Sequence, residues 1–82
     1  MSTDNEKQIL FLLAKEWDYS GPPGIMDVSD VVAALPMAPS EALDAMQQLF
    51  SAGLVDMNKL KTAVFLTPEG YGAAEESRVE ES

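Results

Sequence analysis

The sequence predicts a mainly α-helical domain with a small β-ribbon, an α+β fold in the order α-(β)-α-α-β-β-α. Three observations predict it. Apolar residues recur at helical spacing over about residues 4–17 and 41–50. The run LVDMNKLKTAVFL places two β-prone segments around a short polar turn. The run LTPEG, Leu66 to Gly70, has the chemistry of a helix start.

The first helix is expected from about Asp4 to Trp17. Thr3 and Glu6 have the spacing of a capping box. Ile9, Leu10, Leu12, Leu13, Ala14 and Trp17 share one broad arc at about 100° per residue. Phe11 falls outside that arc, between Lys7 and Lys15. It is expected either to be covered by Tyr19 or the 18–24 loop, or to anchor a partner together with the two lysines. DYSGPPG, with two glycines and two prolines, breaks the helix. Ile25 and Met26 form a very short strand, and Asp27 caps a second helix that carries Asp30 in its first turn and ends at Pro36.

Ser40 is expected to cap the third helix, with Glu41 in its first turn. Ala42, Leu43, Met46, Leu49 and Phe50 fall on its inner face. Ser40, Glu41, Asp44, Ala45, Gln47, Gln48 and Ser51 fall on its outer surface. Gly53 follows as the left-handed residue that ends a helix. Strands are expected at Leu54–Met57 and Thr62–Leu66, joined by Asn58-Lys59-Leu60-Lys61. Thr67 caps the last helix, Pro68 opens it and Glu69 complements its dipole; it is expected to reach Glu76. Residues 1–76 therefore make one domain, and 77–82 an acidic flexible tail. The expected core is Ile9, Leu13, Trp17, Val31, Leu35, Leu43, Met46, Leu49, Phe50, Leu54, Val64 and Leu66. The initial Met and the full set of elements suggest a whole chain rather than a fragment.

Charge narrows the functional classes. The chain carries 14 acids and 5 bases, a formal −9. Residues 5–74 alone hold nine acids against four lysines, a net −5, so the acidity is not confined to the tail. This disfavours general affinity for nucleic acid or anionic membrane and suits a basic protein partner. There is no Cys and no His, which removes disulfides, Cys/His zinc sites and His- or Cys-based catalysis. No Gly-rich phosphate loop, calcium loop or paired-carboxylate constellation stands out, so neither an enzyme nor a cofactor is expected. The only strong apolar run, ILFLLA, is too short to span a membrane and lacks the flanks of a signal peptide. A soluble cytoplasmic protein with no membrane partner is the expectation.

The element order, the stretch DVSDVVAALPMAPSEALDAMQQLFSAGLVD and the stretch VFLTPEGYGAAEE together resemble bacterial winged helix-turn-helix regulators of the MarR and PadR kind. The likeness covers about residues 5–76. It implies a recognition helix at the third helix, a wing at Asn58, Lys59 and Lys61, and a role in transcription. Two departures stand against a plain DNA-binding reading. The chain has no room for the extra helices through which such regulators dimerise. Its recognition surface carries Glu41 and Asp44 and no cation, whereas affinity for DNA begins with phosphate neutralisation. The expected function is thus a non-enzymatic module acting mainly on a protein partner or as a homodimer. The alternative is a DNA-binding regulator that uses the third helix and the wing lysines.

Overall fold

The computed structural model describes residues 4–81, with side chains through Ser77. Its elements are α1 (Asp4–Ser20), β1 (Met26–Asp27), α2 (Val28–Ala34), α3 (Pro39–Ser51), β2 (Val55–Met57), β3 (Ala63–Leu66) and α4 (Pro68–Glu81). This is a mainly helical α+β chain. The three strands form one antiparallel sheet in the order β1-β3-β2. Met26 and Asp27 face Val64 and Ala63, while Val55, Asp56 and Met57 face Leu66, Phe65 and Val64. Helix α1 packs against α3, α4 and β3. Ile9, Leu10, Leu13, Val31, Met46, Leu49, Val55, Val64 and Leu66 fill the space between them, with Ala14, Ala42 and Ala74 where helices approach closely.

Thr3, the expected cap of α1, lies outside the described residues. Helix α1 continues to Ser20, past the expected end at Trp17. The reason is tertiary. The Trp17 ring stacks on Tyr71 of α4 at 4.7 Å, and the Tyr71 hydroxyl donates to Asp18 at 2.7 Å. Gly21, at φ +90°, then ends the helix as its amide donates to the Trp17 carbonyl. Gly24 is needed close by, because a Cβ there would meet the backbone nitrogen of Trp17 at 2.7 Å.

The short strand is Met26–Asp27, one residue later than expected. Asp27 does precede α2, but its side chain makes no capping bond; the Val28 amide donates instead to the Thr62 carbonyl at 2.9 Å. Helix α2 stops at Ala34, short of Pro36, with Leu35 already extended. Helix α3 starts at Pro39 and not after Ser40: Ala38 holds the cap position and Pro39, whose φ is preset, opens the helix. Its end follows the expected geometry. Gly53 sits at φ +77°, its amide donates to the Phe50 carbonyl and the Leu54 amide donates to the Leu49 carbonyl. That use of Leu54 is why β2 begins at Val55. Thr62 is likewise kept out of β3 because its amide is taken by Asn58.

Thr67 caps α4 by accepting from the Gly70 amide at 3.0 Å. Helix α4 then runs to Glu81, so residues 77–81, expected as a flexible tail beyond Glu76, are helical. The expected core also needs correction at its edges. Trp17, Leu35, Phe50 and Leu54 are only half-buried and pack on the rim of the core. Leu43 is 49% exposed. Helix α2 is too short to cover it, and Leu43 is left lining a groove between α2 and α3.

Candidate functional site

Helix α3 presents its outer face through a simple partition. Ala42, Ala45, Met46 and Leu49 turn inward, while Ser40, Glu41, Leu43, Asp44, Gln47, Gln48 and Ser51 are exposed. Ala45 was expected on the outer surface and is 6% exposed instead. It lies at the edge of α3 that meets α1, where it shares a shallow cleft with Asn5, Glu6, Glu41, Asp44 and Gln48. A side chain as small as Ala fits where two helices approach; a Gln or Asp at this place would hold them apart.

Glu41 is exposed but already occupied. Its carboxylate accepts from the Ala38 amide at 3.1 Å, the half of a capping box that a Glu at this position supplies. The acid therefore fixes the start of α3. The face left for a partner is Ser40, Leu43, Asp44, Gln47, Gln48 and Ser51. It carries one acid, one large apolar residue and no cation.

The turn between β2 and β3 is built around Asn58. The Asn58 carbonyl accepts from the Lys61 amide at 3.0 Å and so closes a four-residue turn. Its side-chain oxygen accepts from the Thr62 and Ala63 amides, at 2.8 and 3.0 Å, and its side-chain nitrogen donates to Thr62 Oγ1 at 2.8 Å. Asn58 thus serves the turn itself, and its amide is not left over to read a ligand. Lys61 sits at φ +56°, the left-handed place in this turn, and its ammonium lies 5.8 Å from the centre of the Phe50 ring. That contact leans the turn toward α3. Lys59 and Leu60 remain exposed at the tip, Leu60 at 80%.

The third expected contact, around Phe11, comes out differently. Phe11 is half-buried and packs against the core, with Lys7 half-buried and Lys15 exposed. Tyr19 does not cover it, since Tyr19 is 90% exposed. Lys7 and Lys15 are on the same helix as Phe11, whose ring is partly covered by the core and partly exposed.

Sequence reasoning missed a groove of about 480 Å³ lined by Val28, Val32, Pro39 and Leu43 among others, with Lys61 and Thr62 at its hairpin side. The signal was present in two places. Val28 and Val32 stand four apart on a helix whose inward residue is Val31. Leu60 stands between two lysines in a turn too tight to return it to the core. Among the described residues no polar or charged side chain is buried, and no group of three or more His, Cys, Asp or Glu gathers to hold a metal. No helix of the described residues is long and apolar enough to cross a membrane.

Comparison with protein-family models, with curated proteins and with solved structures finds no match to this chain.

Proposed function

We propose that this chain is a small winged helix-turn-helix module, transcription-related and non-enzymatic, that acts mainly by binding protein. The element order and the β1-β3-β2 sheet support the winged-helix reading. In it α3 is the recognition helix and the β2–β3 hairpin the wing. One observation carries the choice of protein over DNA. The exposed face of α3 offers Leu43 and Asp44 with no Lys or Arg, and Leu43 opens onto an apolar groove. A largely apolar groove suits a protein surface. The exposed face of α3 itself lacks the cations that hold a helix against phosphates, the one cation at the groove being Lys61 of the hairpin.

The DNA-binding reading retains one supporting observation: Lys59 and Lys61 stand together at an exposed turn with no acid among residues 57–62. A titration of the chain with mixed-sequence duplex at about 150 mM salt, followed by amide NMR shifts, separates the two. We expect binding weaker than the ~10⁻⁴–10⁻⁶ M of ordinary non-specific DNA binders. Micromolar or tighter binding reverses the reading. In that event Lys59→Ala with Lys61→Ala should flatten the salt dependence by about one unit of log–log slope per lost contact.

A further inference from the structure

We propose that the outer face of the three-stranded sheet binds an arginine-bearing segment of a partner protein, with the guanidinium laid on Phe65 between the carboxylates of Asp56 and Asp27. The inference rests on the protein-binding reading above, and adds to it a second surface and the chemistry of the partner.

The strand register puts these residues on one face. Val55, Val64 and Leu66 are buried and turn toward the helices. Side chains alternate along a strand, so Asp56, Ala63 and Phe65 turn the other way. Asp56 lies directly opposite Phe65 on β2, and Asp27 directly opposite Ala63 on β1. Residues paired in this way share a face at roughly 5 Å between Cβ atoms, and a diagonal neighbour, as Asp27 is to Phe65, lies at roughly 7–8 Å. Because β3 is the middle strand, Phe65 has an acid on either side. Ala63, between Phe65 and Asp27, adds only a methyl group.

The fold makes little use of the three side chains. Phe65 is half-buried but is not among the residues that pack against the core. Asp27 is exposed at the cap position of α2, yet its carboxylate makes no capping bond. Asp56 is exposed and accepts from the adjacent Met57 amide through one oxygen, which leaves the other to solvent. Among the described residues neither carboxylate is in an ion pair.

Charge complementarity names the occupant. An aromatic ring flanked by two unpaired carboxylates attracts a cation from both its face and its sides. A guanidinium fits better than an ammonium. It is planar, it stacks on a ring, and it meets a carboxylate through two parallel N–H bonds. A second copy of this chain is a poor source of that group, since it brings 14 acids against 5 bases, four of them lysines. A basic partner is instead drawn to the chain by its net charge and registered by the sheet.

The test is an amide NMR titration of the whole chain with hexa-arginine and with hexa-lysine at about 50 mM salt, where exposed charges still act. The largest shifts should fall at Asp27, Asp56, Ala63 and Phe65, and hexa-arginine should bind at least ~3-fold more tightly than hexa-lysine. Phe65→Leu removes the ring and keeps an apolar strand residue. It should bring the two peptides level. Asp56→Asn keeps an acceptor for the Met57 amide and should weaken hexa-arginine at least ~3-fold. Asp44→Asn removes the same charge on α3 and should change affinity by less than ~1.5-fold. The proposal is overturned by no binding at ~2 mM peptide, by shifts centred on α3, or by an Asp44→Asn loss equal to that of Asp56→Asn, which would mean general attraction to an acidic chain. Shifts centred on α3 would refute this surface and leave the protein-binding reading standing, whereas that reading fails on the duplex titration whatever the peptides do.

Discussion

The hydroxyl of Thr67 donates to the carbonyl oxygen of Gly53 at 2.7 Å, across 14 positions of sequence. Thr67 Oγ1 in turn accepts from the Gly70 amide, so one side chain joins the end of α3 to the start of α4. The Thr67 amide adds a bond to the Leu54 carbonyl at 3.2 Å. The Leu-Thr-Pro-Glu-Gly run is thus explained by the fold. Thr67→Val keeps the shape and removes the hydroxyl, leaving the Gly53 carbonyl and the Gly70 amide without this partner. Chemical denaturation should show a loss of about 1–2 kcal/mol, the range of a helix cap.

Gly70 is fixed by a harder constraint. A Cβ there would run into the carbonyl oxygen of Leu54, a backbone atom that cannot turn aside. Gly70→Ala, which ordinarily favours a helix, should here destabilise by about 2–3 kcal/mol. Gly72, in the same helix with nothing within 4 Å of a Cβ, is the control. Gly72→Ala should stabilise by about 0.5–1 kcal/mol. Equal effects of the two in a thermal melt would contradict the close approach of α4 to Leu54.

How far the fold was legible follows from where the information lies. The Gly53 turn, the Thr67 cap and the inward set of Ile9, Leu13, Met46 and Leu49 depend on local chemistry and helical spacing, and each is readable from a short window. The extra turn of α1 is not, because it depends on Trp17 and Asp18 meeting Tyr71, more than 50 positions away. Ala45 and Leu43 failed for a related reason. Periodicity gives the angle of a residue on its helix but not the reach of the neighbouring element. Helix α1 comes close enough to cover Ala45, and α2 stops too soon to cover Leu43. The candidate surface was half legible: the acid-bearing face and the lysines were visible, but the groove between them was not.

Phe11 was read from sequence as either a partner anchor or a core residue, and its half-buried position against the core decides the expected outcome of Phe11→Ser. Stability should fall by about 1.5–2.5 kcal/mol, below the ~3–5 of a fully buried Phe truncated to Ala. Association measured on the same variant should change no more than the loss of folded protein requires. A melt within about 0.5 kcal/mol of the parent, accompanied by lost association, would return Phe11 to the role of anchor.

The turn separates a structural residue from a surface one within two positions. Asn58 uses its carbonyl and both ends of its side-chain amide inside the turn, whereas Lys59 is exposed. Asn58→Ala should cost about 1–2 kcal/mol, because the Thr62 and Ala63 amides lose their acceptor and regain only water. Lys59→Ala should leave stability within about 0.5 kcal/mol. Hydrogen exchange gives the sharper readout: in Asn58→Ala the Ala63 amide should exchange faster, and in Lys59→Ala it should not.

Net charge makes the last prediction. The chain carries −9 overall, and the acids are spread from α1 to α4 with only five bases to offset them. Among the described residues no charged side chain is buried, so these charges act on one another through solvent and are open to screening. Folding brings them together within a small volume, which costs free energy that the extended chain does not bear. Raising sodium chloride from about 20 mM to about 500 mM shortens the screening length from roughly 20 Å to roughly 4 Å and should relieve that cost. The thermal midpoint should rise by about 3–6 °C, equivalent to about 0.5–1 kcal/mol for a domain of this size. If attraction between opposite charges dominated instead, the midpoint would fall with salt, and the exposed acids would then have to be regarded as paired rather than as a field.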